Sequence, residues 1–85
     1  MTQAQRRFVY ILRSLSAPER YYIGLTNDIA ARLSAHNDGQ SPQTARHRPW
    51  RLHLVMQFSS EDVAVRFEKF LKSGSGRAFA KQHFE

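Results

Sequence analysis

Apolar residues follow two rhythms along this chain, and the changes of rhythm mark its elements. Phe8-Val9-Tyr10-Ile11-Leu12 is β-branched and aromatic without polar interruption, the pattern of a central strand covered on both faces. After Ser14 to Glu19, a short connection containing Pro18, comes Arg20-Tyr21-Tyr22-Ile23-Gly24-Leu25. So short a connection joins antiparallel neighbours, which predicts a hairpin. With its turn near residue 16, Tyr10 and Tyr22 fall roughly opposite each other and share a face. From Trp50 to Phe58 the residues alternate, with Leu52, Leu54, Met56 and Phe58 on one side and His53, Val55 and Gln57 on the other. That period predicts a third strand, and Pro49 bars helix just before it.

The helical rhythm fills the remainder. Thr26 and Asn27 offer oxygens to the open amides of a helix from about Asp28 to Asn37, Asp28 suits its dipole, and Asp38-Gly39 supplies a stop. Ile29 and Leu33 mark its buried stripe, with Arg32 and His36, four apart, along one edge. Ser59-Ser60-Glu61-Asp62 matches a capping pattern ahead of Val63, Ala64, Phe67, Phe70 and Leu71, a second amphipathic helix. Gly74 and Gly76 are expected to end it, and Arg77 to Phe84 to form a last short helix. Asp38 to Arg48 and Ser73 to Gly76 read as linker-like. The predicted fold is α+β: a three-stranded antiparallel sheet flanked by helices, in the order β-β-α-β-α-α, as one domain over residues 1–85.

Composition narrows the chemistry. The absence of cysteine excludes a disulfide scaffold, a thiolate zinc site and a cysteine nucleophile, and fits a reducing, cytoplasmic setting. No apolar run approaches the ~20 residues of a membrane span, so no membrane partner is expected. Thirteen Lys and Arg against seven Asp and Glu leave a net charge of +6, which points to an anionic partner. Most of those cations are arginine, whose planar fork matches phosphate oxygens in pairs, so nucleic acid ranks first. The phosphate-cradling, dinucleotide, zinc-protease and nucleophile-elbow signatures are all missing, and no small-molecule cofactor is expected.

A scattered set of polar groups beside apolar faces remains: Tyr10, Tyr22, Arg32, His36 and Glu68. Each has a plain explanation. A strand tyrosine is ordinarily core with its hydroxyl satisfied, Arg32 is a solvated helix residue, His36 a border histidine, and Glu68 the partner of Lys72 one turn on. The loop from Thr44 to Trp50 combines Thr44, Arg46, Arg48 and an aromatic, a surface suited to a nucleic-acid backbone. Ser73 to Arg77 is a helix stop or, with Arg77 and free amides, a phosphate contact.

Taken in order, Val9-Tyr10-Ile11, Tyr22-Ile23-Gly24, Arg32 and His36 on the next helix, and Glu68 on a later one resemble the GIY-YIG nuclease family, over about Phe8 to Leu71. More narrowly, the chain is similar to its small stand-alone bacterial members. The resemblance implies metal-dependent endonuclease action on DNA, directed by structure rather than sequence, in repair or processing. It assigns Tyr10, Tyr22, Arg32 and His36 to catalysis and Glu68 to a single Mg²⁺ or Mn²⁺. Tyr10 is then the conditional general base, Tyr22 its runner-up, and His36 a group that orients Tyr22 or the phosphate. Thr44, Arg46, Arg48, Lys72 and Arg77 are the expected DNA contacts. Two departures stand out: the first motif reads Phe8-Val9-Tyr10, without its glycine, and no asparagine follows Asn37. A nucleic-acid-binding module with little or no cleavage, and a protein-interaction domain with incidental charge, are the other readings. Metal-dependent nicking separates the first two, and salt-dependent DNA binding separates both from the third.

Overall fold

The strand with apolar residues on both alternating faces is the middle one, because only there can both be covered. The structure, a computed structural model, describes residues 5–85; residues 1–4 of the predicted domain lie outside the described residues. Its elements are β1 (Phe8–Ser14), β2 (Tyr21–Thr26), α1 (Ile29–Asn37), α2 (Pro42–Ala45), β3 (Trp50–Gln57), α3 (Glu61–Leu71) and α4 (Gly74–Phe84). The sheet runs β2-β1-β3, antiparallel throughout. The expected α+β order is present, with α2 added.

Tyr10 pairs with Gly24 and Leu12 with Tyr22. Tyr10 and Tyr22 therefore share a face as expected but sit diagonally, one pair apart, rather than opposite. On the β3 side, Ile11 pairs with Leu54 and Leu12 with Leu52, so His53 is an extra residue in a bulge. The bulge overturns the simple alternation read from sequence. Leu52, paired with Leu12, faces the same way as Tyr10, whereas Leu54, paired with Ile11, faces the other way.

The two faces carry separate cores. One side holds Val9, Ala64, Leu71 and Ala80, with Ile23, Leu25, Met56, Phe58, Phe67 and Phe84 packed around them. The other holds Tyr10, Leu12 and Trp50 against Tyr22, Ile29 and Leu33. Ser60 starts α3 by accepting the Val63 amide hydrogen, and Asp28 starts α1 by accepting that of Ala31. Thr26, expected to cap α1, instead binds both the amide and the carbonyl of Asp28.

Two linker-like stretches prove to be structural. Between α1 and β3, the Trp50 indole N–H donates to the Thr44 carbonyl at 2.7 Å. Asn37 takes the Trp50 amide hydrogen at 2.6 Å and returns a bond to its carbonyl at 3.0 Å. Ser14 Oγ donates to the His47 carbonyl at 2.6 Å. This segment is thus bolted to the sheet end rather than swinging from it. At the other stretch, Gly74 and Gly76 open α4 instead of merely ending α3, and Ser73 caps it by accepting the Gly76 amide hydrogen. Gly76 is buried, and a Cβ there would overlap the Phe70 carbonyl, so close approach of two backbones is what this position requires.

Candidate active site

Gly24 decides how far Tyr10 can reach. A Cβ at Gly24 would overlap Tyr10 Cζ and Oη. The tyrosine ring therefore lies across the bare backbone of β2, and its hydroxyl arrives near the β2 edge of the sheet. From the other side α3 packs against both β1 and β2, and the charge of Glu68 on that helix acts on the Tyr10 phenol although the helix belongs to the opposite face.

Tyr10 is 2% exposed and His36 is fully buried. Tyr10 Oη and His36 Nε2 are 2.9 Å apart, and His36 Nδ1 lies 2.7 Å from Thr44 Oγ1. The Tyr22 ring meets the His36 ring edge-on at 4.9 Å between centroids, and Tyr10 at 6.4 Å. His36 thus bonds to Tyr10 and meets Tyr22 through ring packing.

Burial pushes the Tyr10 phenol above its ordinary pKa; the neighbouring Arg32 guanidinium pulls it down, while charge on Tyr22 and Glu68 adds to the rise. Burial also lowers the His36 pKa, and the Arg32 charge lowers it further. His36 is accordingly a neutral imidazole at pH 7, with one nitrogen that donates and one that accepts. Tyr10, Tyr22 and His36 are in direct contact, and Arg32 and Glu68 join them through their charges on the Tyr10 phenol.

Glu68 Oε2 accepts from Lys72 Nζ at 2.9 Å, the helical pair anticipated from the spacing. Its other oxygen has no hydrogen-bond partner among the described residues. Among those residues no three His, Cys, Asp or Glu side chains cluster as a metal site. The donor set here is one carboxylate with a free oxygen. It fits a hard dication that keeps most of its waters, and does not fit an ion that needs thiolate or several imidazoles.

Tyr22 stands where two open clefts meet. One, of about 390 Å³, is lined by Glu19, Arg20, Tyr21, Gln43, His47 and Trp50 besides Tyr22. The other, of about 480 Å³, runs past Ile23, Lys72, Arg77 and Lys81. Lys72 and Arg77 therefore border the site, while Arg46 and Arg48 are exposed on the α2 loop and line neither cleft. Thr44 is corrected outright: fully buried against His36, it presents nothing to a nucleic acid. Trp50 is likewise buried, with its indole spent on Thr44. The amide of Gly76 in the Ser73 to Arg77 turn is also occupied, by the Ser73 hydroxyl.

Sequence reasoning missed the structural parts played by Gly24, Asn37 and Thr44. For Gly24 the strand register was the available signal, since a glycine paired with a strand tyrosine leaves room for its ring. Nothing local distinguishes Thr44 from an exposed loop threonine.

Comparison with known proteins identifies the family. The sequence matches the family described as the GIY-YIG catalytic domain over residues 6–82. Structure-specific endonuclease subunit SLX1 of Debaryomyces hansenii is 39% identical over 71 residues, covering 75% of this chain and 20% of that protein. The Structure-specific endonuclease subunit SLX1 homolog of Giardia intestinalis is 37% identical over 65 residues, covering 72% and 18%. The Talaromyces marneffei protein named Structure-specific endonuclease subunit slx1 is 40% identical over 65 residues, covering 69% and 17%. The chain spans about a fifth of the length of these curated relatives. They are eukaryotic, whereas the sequence reading pointed to stand-alone bacterial members.

Proposed function

The chain belongs to the GIY-YIG catalytic domain family, and on that footing we propose that it is a divalent-metal-dependent endonuclease that hydrolyses DNA phosphodiesters, selecting substrates by structure rather than by sequence. The observation that carries this reading is the buried Tyr10–His36 hydrogen bond with the charges of Arg32 and Glu68 acting on its phenol, beside two open clefts.

A standing phenolate at Tyr10 is disfavoured, because burial raises its pKa. Tyr10 acts by exchange. Oη takes a proton from the attacking water while its own proton moves to His36 Nε2, already within hydrogen-bond distance. The water oxygen bonds to phosphorus and the bond to the leaving sugar oxygen breaks, that oxygen taking a proton from solvent. Arg32 offsets the negative charge that grows on the phosphoryl oxygens. Tyr22, on the wall of both clefts, orients the phosphate. Glu68 would hold Mg²⁺ or Mn²⁺, which when bound neutralises phosphate charge and lowers the pKa of water. Lys72 and Arg77 meet the backbone beside the cleft, and Arg46 and Arg48 meet it further out.

One observation favours a second reading. Lys72 engages one oxygen of Glu68, the carboxylate assigned to the metal, which suits a DNA-binding module that cleaves little. In either reading we place the chain, which has no cysteine, in a reducing, cytoplasmic setting. The test is a panel of flaps, junctions, nicked duplexes, plain duplex and single strands with Mg²⁺ or Mn²⁺, comparing wild type with Glu68→Gln. The nuclease reading expects branched substrates to be cut by wild type alone, with binding retained by the variant. Equal nicking by both removes Glu68 as the metal ligand. Binding without cleavage by either selects the module, unless a partner chain restores cutting and makes this chain a subunit.

A further inference from the structure

The buried polar contacts around His36 continue beyond the residues given chemical roles. They run Tyr10 Oη to His36 Nε2, His36 Nδ1 to Thr44 Oγ1, and Thr44 Oγ1 to the Ser41 carbonyl, at 2.9, 2.7 and 3.4 Å. His36 and Thr44 are both wholly buried, so water does not choose the direction of these bonds. The two ends choose it. Ser41 ends the chain with a carbonyl, which accepts and cannot donate. At the other end, His36 Nε2 is the only acceptor that the Tyr10 hydroxyl meets among the described residues, because the neighbouring Arg32 guanidinium can only donate. A proton on Nε2 would leave the tyrosine hydrogen without a protein acceptor, at a buried site where an unpaired donor is costly.

We infer that Thr44 is a positioning residue that holds the His36 proton on Nδ1 and so keeps Nε2 open as the acceptor for Tyr10. Thr44 Oγ1 receives the Nδ1–H and passes its own hydrogen to Ser41. The Trp50 indole, bonded to the Thr44 carbonyl, and Pro42 at the start of α2 hold the threonine in place. A threonine in a loop of cations thereby serves the imidazole rather than a phosphate. The inference deepens the hydrolytic reading, and its rate measurement rests on that reading, but the tautomer measurement does not.

Long-range ¹H–¹⁵N NMR of uniformly labelled protein reads the His36 tautomer directly. Wild type should show the proton on Nδ1, and Thr44→Val, nearly isosteric but without the oxygen, should move it to Nε2. Metal-dependent cleavage by Thr44→Val should fall about 10- to 100-fold in kcat with little change in KM, the range for losing a group that orients an imidazole. Thr44→Ser, which keeps the oxygen, should restore both tautomer and rate. A wild-type proton on Nε2 overturns the inference, as does a Thr44→Val protein that keeps the Nδ1 proton or cleaves at the wild-type rate. If the valine variant does not fold, Thr44→Ala replaces it under the same criteria, and the wild-type spectrum still decides on its own. A wild type with the Nδ1 proton but no nuclease activity would defeat the proposed function while leaving the tautomer assignment standing.

Discussion

The two faces of the sheet are covered to similar depth by different means. Against Val9, the buried residues are Ala64, Leu71 and Ala80, without a polar side chain among them. All four buried polar side chains among the described residues belong to the Tyr10 side: Ser14 and Thr26 by their strand register, His36 from α1 and Thr44 from α2. The difference teaches where stability and chemistry are kept apart. The α3/α4 face is held by non-directional burial, which tolerates small shifts of its parts. The Tyr10 face depends on hydrogen bonds that hold only in one geometry, and no buried side-chain nitrogen or oxygen among the described residues is left unpaired. Rigid polar networks are what a proton-transfer site requires, and the apolar face supplies the platform beneath it.

The hardest test of this division is Tyr10→Phe, which removes one oxygen from the polar face. Cleavage should fall by about 10²- to 10⁴-fold, the usual contribution of a general base, while leaving His36 Nε2 unpaired costs only about 1–3 kcal/mol of stability. Single-turnover cleavage and urea denaturation on the same preparation measure both. A variant that cuts as fast as wild type would take the Tyr10 hydroxyl out of the reaction.

Leu71→Ala probes the other face. Emptying that fully buried position should destabilise the fold by about 2–5 kcal/mol, with the folded fraction still cleaving near the wild-type rate. If activity is lost while the variant remains folded, the two faces are coupled and the separation drawn above is wrong.

A smaller effect comes from pH. The folded pKa of His36 is depressed, so below about pH 6.5 the unfolded chain binds a proton that the folded chain refuses. Stability should therefore decline as the pH drops from there through the lowered value. Tyr10 is raised, so above about pH 10 the unfolded chain releases a proton that the folded chain retains, and stability should decline again as the pH rises. Denaturation midpoints across pH should show the His36 portion of the acid limb disappear in His36→Gln and persist in Leu71→Ala. An acid limb unchanged in His36→Gln would refute the buried neutral imidazole.

The smallest effect lies on the surface. Neutralising Arg46 and Arg48 together should flatten the slope of log K against log salt for DNA binding by about 1 to 2 units if both meet phosphates. An unchanged slope would confine the DNA path to the Lys72 and Arg77 side of Tyr22.

How far the sequence reached differs between the same two faces. Period-2 and period-3.6 patterns placed β1, β2, β3, α1 and α3, because burial of an apolar stripe follows directly from residue spacing. The same spacing set Arg32 beside His36 and Glu68 beside Lys72. The His53 bulge escaped it, since an extra strand residue alters register without altering composition. So did the start of α4, because Gly76 looks like a helix stop until the Phe70 carbonyl is seen against it.

What the sequence determined alone was the α+β order, the basic surface and the identities of the polar groups beside each apolar stripe, all of them properties of local pattern. Tertiary structure decided that Tyr10 passes over Gly24, that the charge of Glu68 acts on Tyr10 from a helix on the far face, and that Thr44 turns inward to His36. These rest on contacts between residues distant along the chain. A hydrogen bond is short and directional, so residue types can supply its donors and acceptors, but only the packed backbone can bring them within reach.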